Sequence, residues 1–409
     1  MDLLNAVRER ALAADPTARK AILDQLNSLA RELETPQDSM QRLLYQPLTL
    51  PIIRAGCDLG LFRRIVDSPA PLSSAQLAEE CSSGGDGGKP SPVLLSRLLR
   101  YLASIDVVRE TAPDRYGATN TTRTLATREW QSAVLYYCDV FIPSFVAIPA
   151  LLKEQGYQDV DDPADCAFNR AHGTSERIFT WLPTRPSLFA DFNRFMSVQR
   201  AGMPTWLDVY PYLTTAAARG GGGGPAVPLF VDVGGGVGHQ SAALRRALPA
   251  SVRGRIIVQD QPALLGQALR CEGVEHTAHD FFAPQPVRAA RMYYMRNILH
   301  DWNDADALRI LRCTRLAMGP RSRLLLDEMV MPEAGVHWHA AQLDMLMMAV
   351  LAARERTMAQ WLQLVRRAGL RLRKVYRYTE YLADSIIECV RDDAPEEEMV
   401  GEGGYSASL

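Results

Sequence analysis

Leu229-Phe-Val-Asp232-Val-Gly234-Gly235-Gly236-Val-Gly238-His239-Gln240-Ser241 is the stretch that decides the fold. Leu229, Phe230, Val231 and Val233 read as a strand. Glycines follow at 234, 235, 236 and 238, and HQSAALRRALP then reads as a helix. A strand that passes through glycines into a helix lets a ligand approach the backbone, with the helix N-terminus facing it. The dinucleotide pattern GxGxxG would need glycine at 239. His239 stands there, which counts against a nicotinamide or flavin cofactor.

Downstream the alternation continues. GRIIVQD is a strand ending in Asp260, PALLGQALRCEG a helix, and a third strand region ends at Asp280-Phe281. ARMYYMRNIL is a strand, DADALRILRCTRLAM a helix, SRLLLDEMV a strand, and TMAQWLQLVRRAGL a helix followed by RLRKVYRYT. Strands separated by helices of this length predict an α/β, Rossmann-like domain with a parallel sheet and right-handed crossovers. No internal repeat is present.

Upstream, Asp15-Pro16 is an N-cap followed by proline at the first helical position, and Ile22, Leu26 and Leu29 share one face of the helix. Residues 40–125 read as a compact helical unit. Ser73 or Ser74 caps AQLAEEC, Ser82–Pro92 is a flexible loop, VLLSRLLRYLASI is an amphipathic helix, and two short strands flank Pro113-Asp114. Two helices and a β-wing make a winged-helix pattern. It can read DNA, but Arg97 and Arg100 sit among many leucines, which favours packing or dimerisation. Residues 130–215 are mainly helical and rich in aromatics, among them Phe141, Phe145, Phe179, Trp181, Phe192 and Phe195. The expected divisions are 1–125 (helical, winged-helix), 126–220 (helical connector lining a substrate), 221–390 (cofactor-binding) and 391–409 (acidic flexible tail). A glycine run around Gly220–Gly224 forms a flexible insertion before the third.

With 47% hydrophobic and 22% charged residues, 409 residues can bury two or three cores. A formal net charge of −2 gives no reason to expect nucleic acid or an anionic membrane as partner. The 7 cysteines are widely spaced and show no zinc pattern, so reduced thiols in a cytoplasmic protein and no bound metal are expected. No signal peptide is evident, and no apolar stretch approaches the length of a bilayer span.

Candidate chemistry lies at the strand ends. Asp260, about 20 residues past the glycines, is placed to accept from ribose hydroxyls. As an alternative, it is a helix cap before Pro262. Asp280 beside Phe281 suits an adenine ring, or is a capping aspartate. His300, at the end of RMYYMRNIL, has the residue type of a general base, and a phenol of pKa about 10 needs such a base as its oxygen attacks a methyl group. Its alternative is to cap the following helix. Glu328 in LLLDE and Glu355 in ARERT are carboxylates that can hold one ring nitrogen of that histidine. Asp327 competes with Glu328, but strand alternation puts it on the opposite face. Met345, Met347 and Met348, with Met196 and the aromatics, suit a flat aromatic ligand or an ordinary core.

FVDVGGGVG, IIVQDQP, HDFF, YYMRNILHDW, LLLDEMVMP, ARERT and RRAGL, in that order, resemble the plant and fungal small-molecule O-methyltransferases. The resemblance runs from about residue 40 to 385. It implies S-adenosylmethionine (SAM) as cofactor and S-adenosylhomocysteine (SAH) as product. It places the cofactor on Gly234, Gly236, Gly238, Asp260, Gln261, Asp280, Phe281 and Arg296, the last standing where many plant members have lysine. It makes His300 the catalytic base, with Glu328 and Glu355, and lines the substrate pocket with Phe192, Met196, Asp301, Leu346 and Met347. Gln199 stands where some plant members carry histidine, which counts against a plant phenylpropanoid substrate, and the QDQP wording with the long N-terminal helical lead looks more like fungal secondary-metabolite enzymes, such as those methylating polyketide phenols. The N-terminal unit of such enzymes makes a homodimer and does not bind DNA. Two rivals remain: a relative that uses SAM in a pericyclic or dehydration reaction without methyl transfer, and a non-enzymatic DNA-binding regulator.

Overall fold

The computed structural model describes residues 2–82, 89–217, 227–266 and 268–395. Most of the expected loop at 82–92, the insertion at Gly220–Gly224 and all but the start of the expected tail lie outside them. The chain forms two units, Met1–Cys138 with Asp191–Val198, and Asp139–Ala190 with Gln199–Leu409.

In the first unit, Asp15 accepts from the Ala18 N–H at 2.9 Å and so caps the helix Pro16–Leu33. The helix Pro36–Tyr45 follows. No residue from Leu23 to Leu48 is buried, and Leu29, Leu33 and Leu44 are 51%, 75% and 66% exposed. The core begins beyond them, around Leu61, Phe62, Leu77, Leu95, Leu99, Leu102 and Tyr116. Ser73 accepts from the Gln76 N–H at 3.2 Å at the start of the helix Ser74–Ser82, while the Ser74 hydroxyl bonds Asp114 at 3.0 Å. The helix Pro92–Ser104 then leads into an antiparallel hairpin of β1 (Val108–Ala112) and β2 (Arg115–Ala118). Asp114 turns the hairpin at φ 52°, a conformation that aspartate adopts more readily than most residues. The winged-helix pattern is therefore present.

One expectation fails. The continuous helical stretch Arg128–Glu154 is, by length and composition, long and apolar enough to cross a bilayer. Asp139 and four charged residues near its ends, Arg128, Glu129, Lys153 and Glu154, mask it in a reading of apolar runs. In the second unit its half Ile142–Glu154 packs on the helices Ala167–His172 and Trp338–Leu351, as the helix of a globular core does.

The second unit holds β3 (Pro228–Val233), β4 (Arg255–Asp260), β5 (Val274–Ala278), β6 (Met292–Arg296), β7 (Arg323–Met331), β8 (Arg356–Thr357), β9 (Leu370–Arg377) and β10 (Asp384–Arg391). Their order is β5-β4-β3-β6-β7-β10-β9, with β8 beside the end of β7. The strands from β5 to β7 run parallel, whereas β10 is antiparallel to both β7 and β9. Every residue of β7 is buried, as expected of a strand covered on both faces. The order reverses between β3 and β6, and ligands of such sheets bind in that crevice, beyond the carboxyl ends of the strands.

Two details differ from the sequence reading. Among the described residues of PALLGQALRCEG the helix covers Pro262–Leu265, with Gly266 as its C-cap. The sheet also gains β10, whose polar residues obscured a strand pattern. Glu388 on β10 is buried because Arg323 (3.0 Å), Arg373 (3.1 Å) and Tyr376 (3.2 Å) bind it.

Candidate active site

The glycine turn after β3 supplies the first wall of the crevice. Gly234, Gly236 and Gly238 have φ values of 73°, 57° and 91°, which L side chains adopt poorly. A Cβ on Gly234 would lie 2.5 Å from Ile298 Cδ1 and 3.6 Å from the Phe281 ring. One on Gly236 would meet nothing within 4 Å. Gly234 is thus pressed against Ile298 and Phe281, while Gly236 faces open space.

Asp260, at the end of β4, accepts from the Gly236 N–H and the Gln261 N–H, each at 2.7 Å. Burial raises its pKa and these two hydrogen bonds oppose the rise. It therefore braces the glycine turn, and the N-cap of Pro262–Leu265 is Gln261, without a side-chain bond. Asp280 is exposed and accepts from the Phe282 N–H at 2.9 Å, closing a local turn rather than capping a helix. Its neighbour Phe281 packs edge-on against Phe282 and Trp302, with ring centroids 5.1 and 5.8 Å away. Asp232, inside the decisive motif, was not singled out from the sequence. It is buried, accepts from the Ser241 hydroxyl at 2.7 Å, and burial pushes its pKa up to about 7 despite that bond.

His300 follows β6 in a single 3₁₀ turn, Leu299–Asp301, and Asn303 caps the next helix. The capping role considered for His300 thus belongs to Asn303. His300 Nδ1 lies 2.8 Å from Glu355 Oε1, and Nε2 lies 3.4 Å from Asp301 Oδ1. Burial alone would lower the ring's pKa. The charges of Glu355 and Asp301, the Glu355 hydrogen bond and the charge of Glu328 outweigh it and lift His300 to about 10. Burial raises Asp301 to about 6, with His300 opposing the rise and Glu355 adding to it.

Glu328 was expected to offer a ring contact, and it does something else. Its Oε1 accepts from the backbone N–H groups of Ile298 (3.0 Å) and Leu299 (2.8 Å), so it holds the turn that presents His300. Burial pushes its pKa up to about 7 against the pull of His300. Among the described residues neither Glu328 Oε2 nor Glu355 Oε2 has a hydrogen-bond partner. Asp327, on the opposite face of β7, accepts from the hydroxyls of Tyr294 and, at 2.6 Å, Tyr378. The Arg296 guanidinium stands 3.7 Å from it. The adjacent acids Asp327 and Glu328 thus serve separate networks.

Leu346 and Met347 are buried in the helix Trp338–Leu351, which packs against the His300 turn. Phe192 and Met196 lie in the first unit, Phe192 against Tyr136 with centroids 5.4 Å apart and Met196 half-exposed.

The sequence matches two family models. Residues 152–371 match the O-methyltransferase domain and residues 48–128 the O-methyltransferase dimerisation domain. The chain belongs to the SAM-dependent O-methyltransferase family. It is 36% identical over 372 residues to demethylsterigmatocystin 6-O-methyltransferase of Aspergillus parasiticus, covering 90% of this chain and 93% of the relative. It is 36% identical over 379 residues to O-methyltransferase lepI of Aspergillus flavus, covering 91% and 94%. The solved structure of LepI with SAM has a TM-score of 0.88 at 34% identity and covers 95% of this chain and 98% of that one. Another solved structure with the same figures is described as a pericyclic reaction enzyme.

Proposed function

We propose that this chain binds SAM against the glycine turn and methylates a phenolic hydroxyl of a small aromatic or polyketide-type molecule, with His300 as general base. The buried His300–Glu355 pair at the carboxyl end of β6, beside the order reversal of the sheet, carries the proposal. The residues present fit the cofactor. Gly236 leaves space at the turn, and each Asp260 oxygen retains a lone pair toward ribose hydroxyls. Phe281 offers an aromatic contact to adenine with Asp280 beside it, Gln261 extends the Asp260 strand end, and Arg296 adds a fixed positive charge.

When bound, SAM supplies a methyl group activated on a sulfonium. Glu355 holds Nδ1 and so directs Nε2 toward an acceptor hydroxyl. His300 takes the hydroxyl proton as that oxygen forms its bond to the methyl carbon. The electron pair of the broken carbon–sulfur bond stays on sulfur, giving SAH. The resting ring, with its pKa near 10, carries a proton that must leave first. The charges of Glu355, Asp301 and Glu328 hold that proton, and the positive charge of a bound sulfonium would oppose them. Asp301, Leu346 and Met347 line the acceptor side in this proposal.

Demethylsterigmatocystin, the acceptor in a relative's name, is the first probe, followed by a panel of polyketide phenols. His300→Ala should lower methyl transfer about 10²–10⁴-fold and leave SAH affinity nearly unchanged. The loss should shrink at high pH, where a phenol ionises unaided. Equal turnover of the variant at neutral pH refutes the role of His300.

A second reading is supported by the neighbour described as a pericyclic reaction enzyme. It predicts a rearranged or dehydrated product with SAM recovered intact. Mass spectrometry of cofactor and product from one incubation separates the two.

A further inference from the structure

One buried cation near the His300 turn has no part in the mechanism above. Arg356 opens β8, is 1% exposed, and its guanidinium stacks 5.2 Å from the centre of the Trp361 ring. It donates to the Leu299 carbonyl at 2.7 Å and to the Trp302 carbonyl at 2.8 Å. It also donates to Asp304 Oδ1 from two nitrogens, at 3.0 and 2.8 Å. Leu299 and Trp302 bracket His300 and Asp301 in sequence. The same turn is held from its N–H side by Glu328.

We infer that Arg356 is a positioning residue: its guanidinium grips the two carbonyls that bracket His300 and Asp301, and so fixes where the imidazole meets Glu355. Adjacent residues divide the labour, with Glu355 taking the ring and Arg356 taking the backbone that carries it. Only a planar fork can reach two carbonyls and a carboxylate at once. A lysine ammonium offers its donors from a single point. Burying an arginine is costly unless its donors are satisfied. Here each of its three nitrogens donates, which explains why a cation is tolerated in the core. The functional weight of this inference rests on His300 being the base, but its test does not require turnover.

The test uses the full chain labelled at histidine Cε1 with carbon-13, with His300→Ala identifying the His300 signal among the 7 histidines. Arg356→Lys should shift the His300 titration midpoint down by about one pH unit or more, because the ring loses its register on Glu355. SAH affinity, measured by calorimetry, should stay within about threefold, since the glycine turn is braced separately by Asp260. An unchanged His300 midpoint with only a lower melting temperature means a purely structural residue and overturns the inference. Parallel loss of SAH binding also overturns it. Should Arg356→Lys not fold, Asp304→Ala substitutes. Asp304 is half-exposed and accepts two of the four hydrogen bonds, so a smaller shift of the same sign is expected, and none overturns the inference. If His300→Ala retains full turnover, the base assignment falls while the clamp still stands on its titration result.

Discussion

Replacing Glu355 with glutamine isolates the charge that governs His300. The substitution keeps the shape and an acceptor oxygen near Nδ1, where Glu355 Oε1 now lies at 2.8 Å, and removes the negative charge. Two unit charges about 4 Å apart interact by about 4 kcal/mol at an effective dielectric near 20. At about 1.4 kcal/mol per pH unit, that is roughly 3 units. The His300 midpoint, lifted to about 10 in the parent, should therefore fall to near 7 in Glu355→Gln, with burial continuing to depress it and Asp301 to raise it. The linked stability has a definite sign. A histidine whose folded pKa is raised stabilises the fold fully below its unfolded pKa of about 6.5 and loses that contribution as pH rises through the folded value. The parent should lose this increment between about pH 6.5 and 10, whereas the variant should have almost none to lose above pH 7. Carbon-13 titration of His300, with melting temperatures at pH 6 and pH 10, reads both effects. A midpoint within about half a unit of the parent would falsify the assignment of Glu355 as the main source of the shift.

Three further outcomes follow from the geometry. Asp260→Ala strips the acceptor from the Gly236 N–H and should weaken SAH binding by about 1–3 kcal/mol, roughly 5- to 150-fold by calorimetry, and an unchanged Kd would remove Asp260 from the cofactor site. SAM carries a sulfonium that SAH lacks, so near pH 8 SAM should release more protons from the enzyme on binding than SAH does. Calorimetry in buffers of different ionisation enthalpy measures this, and equal proton counts for the two ligands would contradict a cation-driven deprotonation of His300. Ile22, Leu26, Leu29 and Leu33 recur at a 4-3-4 spacing on a helix with no buried residue beyond Leu23, the pattern of a seam awaiting a second helix. The chain should sediment as a homodimer at micromolar concentration, and the pair Leu26→Glu and Leu29→Glu should weaken it; a monomeric parent protein would refute the seam.

Much of the second unit was legible because its signals are local. Strand, glycines and helix follow one another within 229–247, and each glycine is tied to a positive φ or a close approach that a side chain would spoil. Asp260 and His300 were singled out as candidates for a similar reason: Asp260 closes β4 and His300 follows β6 by four residues, strands whose apolar residues announce them, and the ends of parallel strands are where ligands bind. The first unit's cap at Asp15 and turn at Asp114 likewise depend on residues within three or four positions.

What the sequence could not decide is which partner each buried polar group takes. Glu328 and Glu355 look alike in the sequence as candidate supports for His300, yet only Glu355 reaches the ring while Glu328 takes two backbone amides. Asp327 and Glu328 are chemically similar neighbours, and the pleat of β7 sends one to Tyr294 and Tyr378 and the other to the His300 turn. Arg356 gave no local signal, since its acceptors lie more than fifty residues earlier in the chain. Periodicity marks which face of an element is apolar, because that depends on the residues themselves, although the face of Pro16–Leu33 shows that it need not be buried. Hydrogen bonds and charges depend on partners distant in sequence, and only the packed sheet brings those together.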